Sequence, residues 1–257
     1  MRNIPGLTND VLNRAAGLSA KALEARKAIG GVTAPANSIA PAKVENGTAT
    51  LRLYDYIDPD GGYWGISSDE FADALDNAGD VTAIELRINS GGGSVWDGLA
   101  ILNTLRSHDA TVTAIVDGVA ASAASFIAAA CDEVVMMPNS RLMIHDALGL
   151  CVGQAADMRE YADFLDDTST NIAEIYAARA GGEVAQWREA MTAKGLMGQW
   201  YSAQEAVDAG LADRVGLKTG DEPEDRVAAP TDLGSEYEAK AMARRAIEAA
   251  FRHGLTA

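Results

Sequence analysis

The chain is poor in the residues that staple, ligate or anchor. It has two cysteines and three histidines among 257 residues. Cys131 and Cys151 build no disulfide framework, and neither stands at metal-ligand spacing from a histidine, so no metal site is expected from them. Cys131 ends an apolar stretch and reads as a small core residue. No apolar run reaches the roughly 18 residues of a transmembrane helix. Met1 to Thr8 lacks the apolar core of a secretory signal. Cationic side chains are outnumbered, 21 Lys and Arg against 37 Asp and Glu, for a net charge of −16. A nucleic-acid surface needs a basic patch, so this balance argues against such a partner. The expectation is an acidic cytoplasmic protein without membrane or nucleic-acid partners. An apolar content of 48% over this length suffices for a sizeable core.

What is present concentrates in three segments. The β-rich run Val112 to Asp117 feeds the small-residue turn Gly118-Val119-Ala120-Ala121. An apolar helix is expected from about Ala121 to Ala130. Ser122 then stands where strand becomes helix, amid orphan N–H groups and the positive end of the helix dipole. A hydroxyl there can act as a nucleophile with an oxyanion site beside it. It can equally be an N-cap, the commonest role of a serine before a helix. Upstream, Ile88-Asn89-Ser90-Gly91-Gly92-Gly93-Ser94-Val95 is a second strand running into a glycine turn. Downstream, Pro138-Asn139-Ser140-Arg141-Leu142-Met143-Ile144-His145 is a turn and short strand ending on a histidine. Histidine is the side chain best matched to proton transfer near neutral pH. His108 reads as a helix-end residue, and His253 lies in the tail. Ser125 falls inside the helix and should hydrogen-bond locally.

In these segments the sequence resembles the proteolytic subunit of Clp protease, and most of all its bacteriophage relatives, the prohead or head maturation proteases. The matching residues are Arg87-Ile88-Asn89-Ser90 with Gly92-Gly93, Gly118 with Ala120-Ala121-Ser122, and Pro138-Asn139-Ser140 with Met143-Ile144-His145. Gly153-Gln154-Ala155 with Asp157 matches the start of the family's long helix. Ser202-Ala203, Glu205-Ala206-Val207 and Gly210-Leu211 with Asp213 match its final segment. The resemblance runs from about Thr48 to Val215. It implies an α/β fold, a spiral of ββα units with a long protruding helix. It implies Ser122 as nucleophile, His145 as general base, and the backbone N–H groups of Gly93 and Ala123 as the oxyanion hole. The family usually has proline at Gly91 and methionine at Ala123. The resemblance further implies a homo-oligomeric ring, single or stacked, with a peptide adding as a strand near Gly91–Val95. It implies an ATP-independent or partner-dependent serine endopeptidase. As a phage enzyme it would cleave scaffold or capsid proteins, in the host cytoplasm or inside the prohead.

One element of the pattern is missing. The family's aspartate, or glutamate in phage relatives, falls on Gly198. No acidic residue stands between Glu189 and Glu205. Losing the acid of such a triad lowers turnover by about 10⁴-fold. Gln199 or Glu205 is then the candidate to orient His145. Asp146 is disfavoured, because neighbours on a strand point to opposite faces. Restoring an acid at 198 should raise turnover. Three rivals stand beside the protease: a weakened ring that serves assembly only, a crotonase-type acyl-CoA enzyme, and a Ser–Lys protease using Lys194.

Around this core three regions are expected. Residues 1–45 hold a helix, Asn9 to Ile29, and a Pro- and Ala-rich linker, together a possible propeptide. Residues 46–217 form the protease domain. Residues 218–257 form an acidic linker and a helical tail, Ser235 to Phe251. Within the domain, Ser67-x-x-Glu70 and Ser202-x-x-Glu205 are capping boxes. Helices are expected at Val95 to Leu105, Gln154 to Ala180 and Glu183 to Ala193. Strands are expected at Thr48 to Tyr54, Ala83 to Ile88, Glu133 to Met137 and Arg141 to His145. The apolar residues Met158, Tyr161, Phe164, Leu165, Ile172, Ile175 and Tyr176 of the long helix mark either a core stripe or a subunit interface.

Overall fold

The alternation of apolar residues in the first strands sets one face of a sheet. In β2 (Thr48–Leu53) Ala49, Leu51 and Leu53 are buried, and in β3 (Ala83–Ser90) Ile84, Leu86, Ile88 and Ser90 are buried. Successive strand side chains point to opposite faces, so both strands turn one side to the core. The computed structural model describes residues 39–216. The expected helix Asn9 to Ile29, the acidic linker after 217 and the tail helix lie outside the described residues. Ile39 is buried, and β1 (Lys43–Glu45) pairs antiparallel with β2.

The remaining elements are α1 (Ser68–Asp76), α2 (Val95–Ser107), β4 (Thr111–Ala121), α3 (Ala123–Ala129), β5 (Glu133–Met136), β6 (Arg141–Ile144), α4 (Ala155–Ala180), α5 (Val184–Thr192), β7 (Gln199–Ser202), α6 (Ala203–Asp208) and β8 (Arg214–Val215). The strands form a mixed sheet in the order β1-β2-β3-β4-β5-β8, parallel from β2 onward; β6 joins β4, and β7 joins β6. Strand–helix repetition of this kind is the α/β architecture expected from the sequence.

Both capping boxes form as spelled. The Ser67 hydroxyl accepts the Glu70 N–H at 3.2 Å and the Glu70 carboxylate accepts the Ser67 N–H at 3.1 Å. At α6 the corresponding distances are 3.3 and 2.7 Å. Asp97 joins the starts of α1 and α2 by accepting from the Ser94 hydroxyl at 2.7 Å and from the N–H and hydroxyl of Ser68 at 3.1 and 3.0 Å. Burial raises the Asp97 pKa, but these donors outweigh it and hold the carboxyl below its ordinary value.

The strand expected to end near Asp117 runs on to Ala121, so Gly118 to Ala121 is strand, not turn. The reason is a bulge. Ile88 pairs with Val116 and Ser90 with Ala120, so Asp117, Gly118 and Val119 stand opposite Asn89 alone. Extra residues bend a strand and re-aim it. Before the bulge β4 pairs with β5; after it, β4 pairs with β6. A charge cluster clamps the bend. Arg87 grips Asp117 through Nε, at 2.9 Å, and Nη2, and the Tyr54 hydroxyl donates to Asp117 at 2.5 Å. Arg87 of the matched motif thus braces the strand.

Helix α3 is buried on every residue, as a wholly apolar helix in the core should be. Cys131 lies just beyond it, buried and free, with its thiol donating to the Ile127 carbonyl at 3.4 Å and pushed up by burial to about 12. Helix α4 divides in two. Ser169, Ile172, Ala173, Ile175 and Tyr176 are buried, whereas Met158 is 51% and Phe164 45% exposed. Among the described residues no helix is long and apolar enough to cross a membrane.

Candidate active site

Parallel pairing brings the candidate nucleophile and base together. Ala121, the last residue of β4, is in register with Met143 of β6. Ser122 and His145 therefore leave the carboxyl ends of adjacent parallel strands, where open α/β sheets carry their sites. The Ser122 N–H donates to the Met143 carbonyl at 3.0 Å, and the Ser122 hydroxyl lies 2.7 Å from His145 Nε2.

Ser122 has φ 54° and ψ −125°, a conformation that L residues seldom adopt. Such strain persists only where the surroundings over-determine it, and it clusters at functional sites. Although Ser122 precedes α3, its side chain makes no capping hydrogen bond. The N-cap alternative is therefore set aside, because the hydroxyl is turned to the histidine. Its carbonyl is held from the other side by Ser125, whose N–H and hydroxyl both donate to it, at 2.9 and 2.6 Å.

The glycine turn closes the floor of the site. Gly92 has φ +83°, and a Cβ there would lie 2.5 Å from the Ala121 carbonyl oxygen and 2.7 Å from the Ala123 nitrogen. A Cβ on Gly93 would meet the Ile57 carbonyl oxygen at 2.0 Å. Only glycine lets these backbones approach so closely. Ile57 fixes the turn by donating its N–H to Gly92 and accepting from Ser94, at 2.9 and 2.8 Å. The Ser90 hydroxyl adds two contacts, donating to the Asp55 carbonyl at 2.5 Å and accepting the Gly92 N–H at 3.1 Å. Ala123 is the first residue of α3, and its N–H has no intrahelical acceptor by position. The ring of Tyr56 lies over Gly91, 3.2 Å from where a Cβ would stand.

His145 is half-buried, and burial lowers its pKa below the ordinary 6.5; the Asp146 carboxylate and backbone pull the other way and do not prevail. Its Nδ1 is buried and makes no hydrogen bond of acceptable geometry among the described residues. The chain beyond it is pinned twice. Asp146 accepts from Arg188 of α5 at 3.0 Å, and Arg188 also reaches Asp166 of α4 at 2.8 Å. The Ala147 N–H donates to Ser169 at 2.9 Å.

The three positions weighed for the third triad member fare differently. Ile144 is in register with Gln199, so Gly198 is the cross-strand neighbour of His145, and a Cβ there would lie 2.7 Å from the His145 Cβ. Gly198, where the resemblance puts the family's acid, thus stands beside His145 without a side chain. Gln199 is adjacent in sequence, but its amide donates to the Trp200 carbonyl at 3.0 Å. Glu205 is fully exposed and spent on the capping box of α6, whose N–H donors lower its pKa. Neither reaches His145. Against the expected gain from an acid at 198 stands the backbone: Gly198 has φ 58° and ψ −173°, and a Cβ there would lie 2.3 Å from the Ile144 carbonyl oxygen.

The sequence reading missed Asp117 and Tyr176. Asp117 was only the end of a strand, and its pairing with Arg87 is invisible without the bulge. Tyr176 was one apolar stripe residue among seven, yet its hydroxyl lies 2.7 Å from the Ser125 hydroxyl under the candidate nucleophile.

Comparison with known proteins points one way. The sequence profile of the family described as Clp protease matches residues 72–219. The chain is 37% identical over 147 residues to an ATP-dependent Clp protease proteolytic subunit of Ligilactobacillus salivarius, covering 56% of this chain and 71% of that protein. It is 35% identical over 136 residues to ATP-dependent Clp protease proteolytic subunit 3 of Streptomyces coelicolor, covering 52% and 61%. With the proteolytic subunit of Streptococcus pneumoniae it shares 37% identity over 149 residues, covering 56% and 72%.

Proposed function

The chain belongs to the Clp protease family of serine peptidases, and from that premise we propose that Ser122 and His145 are its catalytic pair. The observation that carries the proposal is the 2.7 Å contact between the Ser122 hydroxyl and His145 Nε2, made from a strained strand–helix junction. His145 takes the Ser122 proton at Nε2 as Oγ bonds to the scissile carbonyl carbon. The resulting oxyanion is met by the N–H groups of Gly93 and Ala123. The C–N bond then breaks, and His145 returns the proton to the departing amine. Water repeats the sequence and releases the acid. No cofactor enters these steps.

The substrate is a polypeptide in extended form. Ile57 takes one edge of the Gly91–Ser94 segment, so a peptide would add along the other. We assign the physiological substrates to phage scaffold or capsid proteins on the resemblance of the matched motifs. The relatives are named ATP-dependent; hydrolysis of a short peptide itself needs no ATP, and an unfolding partner would be required only for folded substrates. The working form is a homo-oligomeric ring. Support comes from Trp96, Leu148, Leu150, Val152, Met158 and Phe164, large apolar side chains exposed on this chain.

A second reading, a ring kept for assembly with its chemistry lost, draws on one observation, a His145 Nδ1 that meets no hydrogen-bond partner among the described residues. A fluorophosphonate probe followed by peptide mapping separates the two. Labelling of Ser122, lost in Ser122→Ala and in His145→Ala, supports the protease. An unlabelled native chain, or one labelled equally after Ser122→Ala, refutes the assignment.

A further inference from the structure

A trans peptide points its carbonyl and its N–H in opposite directions within one plane. Whatever fixes the Ser122 carbonyl therefore fixes the aim of the Ala123 N–H. That carbonyl accepts both the N–H and the hydroxyl of Ser125. Ser125 is fully buried, and its hydroxyl also lies 2.7 Å from that of Tyr176, on the core half of α4. A carbonyl can only accept, so the Ser125 proton is committed to Ser122 and Tyr176 donates to Ser125. Burial pushes the Tyr176 phenol well above its ordinary value, so it stays a donor. The ring of Tyr176 is in turn tilted against Trp187 of α5, with centroids 6.0 Å apart.

We propose that Ser125 and Tyr176 are positioning residues for the oxyanion hole, a buried hydroxyl relay that sets the plane of the Ser122–Ala123 peptide and so the aim of the Ala123 N–H. The proposal rests on Ser122 and Ala123 having the roles assigned above. It explains why a residue at φ 54° with no capping bond of its own is nonetheless held. Hydrogen bonds in series also polarise one another, so the relay makes the Ala123 N–H a better donor.

The test uses Ser125→Ala, Tyr176→Phe and the double variant in the full-length chain. The double variant removes both hydroxyls together and leaves neither buried without a partner, so it is the variant expected to keep its fold. Steady-state cleavage of a short fluorogenic peptide gives kcat and KM. A peptide aldehyde, whose tetrahedral adduct sets an oxygen in the hole, reports on the hole directly. Deleting an oxyanion donor outright lowers kcat about 10²–10³-fold, so misaiming one should lower it about 10-fold, with KM within about twofold. Aldehyde affinity should fall in parallel, and Tyr176→Phe alone should give a smaller loss, about threefold.

The proposal is overturned if the double variant keeps wild-type kcat and aldehyde affinity. It is equally overturned if activity falls only in step with thermal stability, which would make the relay plain core packing. Ser122→Ala in the same assay keeps the two assignments apart. Undiminished cleavage by that variant sinks the nucleophile itself, whereas a dead Ser122→Ala beside an unaffected double variant sinks only the relay.

Discussion

An aspartate at position 198 is the obvious way to set an acid beside His145, and the geometry predicts that it fails. Gly198 sits at φ 58° and ψ −173°. That region is essentially reserved for glycine, and any other residue there costs about 1–3 kcal/mol. The Cβ would also lie 2.3 Å from the Ile144 carbonyl oxygen, 2.7 Å from the His145 Cβ and 3.0 Å from the Met143 sulfur. The sulfur can swing aside. The carbonyl cannot, because β6 is fixed between β4 and β7. Overpacking of this kind adds about 1–3 kcal/mol. Together the two effects come to about 2–6 kcal/mol, which at about 2–4 °C per kcal/mol lowers Tm by roughly 4–24 °C. Turnover should fall as well, since the crowded atoms include the Cβ of His145, the proposed base. Thermal unfolding and kcat/KM on a fluorogenic peptide, for wild type, Gly198→Ala and Gly198→Asp, check both statements. Alanine should show the strain without the carboxylate. A Gly198→Asp variant melting with the wild type and turning over faster would refute this reasoning and show that β7 yields.

In the proposed mechanism His145 works as neutral imidazole, and burial holds its pKa below the ordinary 6.5, so kcat/KM should stay full at neutral pH and fall only as pH drops through that lowered value. An acid limb at or above 6.5 would contradict the burial argument. Asp146→Asn removes a charge that favours the imidazolium, so the acid limb should move to still lower pH, readable in the same profile. Phe164→Glu and Met158→Glu alter exposed positions on α4 and should reduce the mass seen by light scattering while leaving the unfolding midpoint of the chain within about 2 °C; an unchanged mass places the interface elsewhere.

Much of this was legible locally. The two capping boxes, the apolar α3 and the core half of α4 follow from short-range pattern, and each sits within a few residues of its expected bounds. The motifs around Ser122 and His145 were legible because each is contiguous. The extension of β4 was not, since a Gly-containing run reads as a turn unless its partner strand is known, and the bulge is defined only by β3. The fate of the acid was half legible. Its absence from the stretch after Glu189 is a fact of sequence, but that Gly198 stands across from His145 with no room for a side chain is a fact of the β6–β7 register. Ser125 was correctly expected to bond locally. Its link to Tyr176, 51 residues on, could not be seen from either position alone.

The β6–β7 pairing also has a consequence in time. Arg141 to Ile144 are matched by Gln199 to Ser202, so the strand that carries the base is flanked on one side by residues made long after it. On the ribosome, a chain that has just emerged through His145 has β4 to pair with but nothing on the other edge, and neither Tyr176 nor Arg188 yet exists to brace the two catalytic loops. Domains complete their packing as units once their last elements emerge. With Ser122 and His145 as the proposed pair, the site gains its last flanking strand only when residues 199–202 have been made, so its geometry is completed near the end of synthesis.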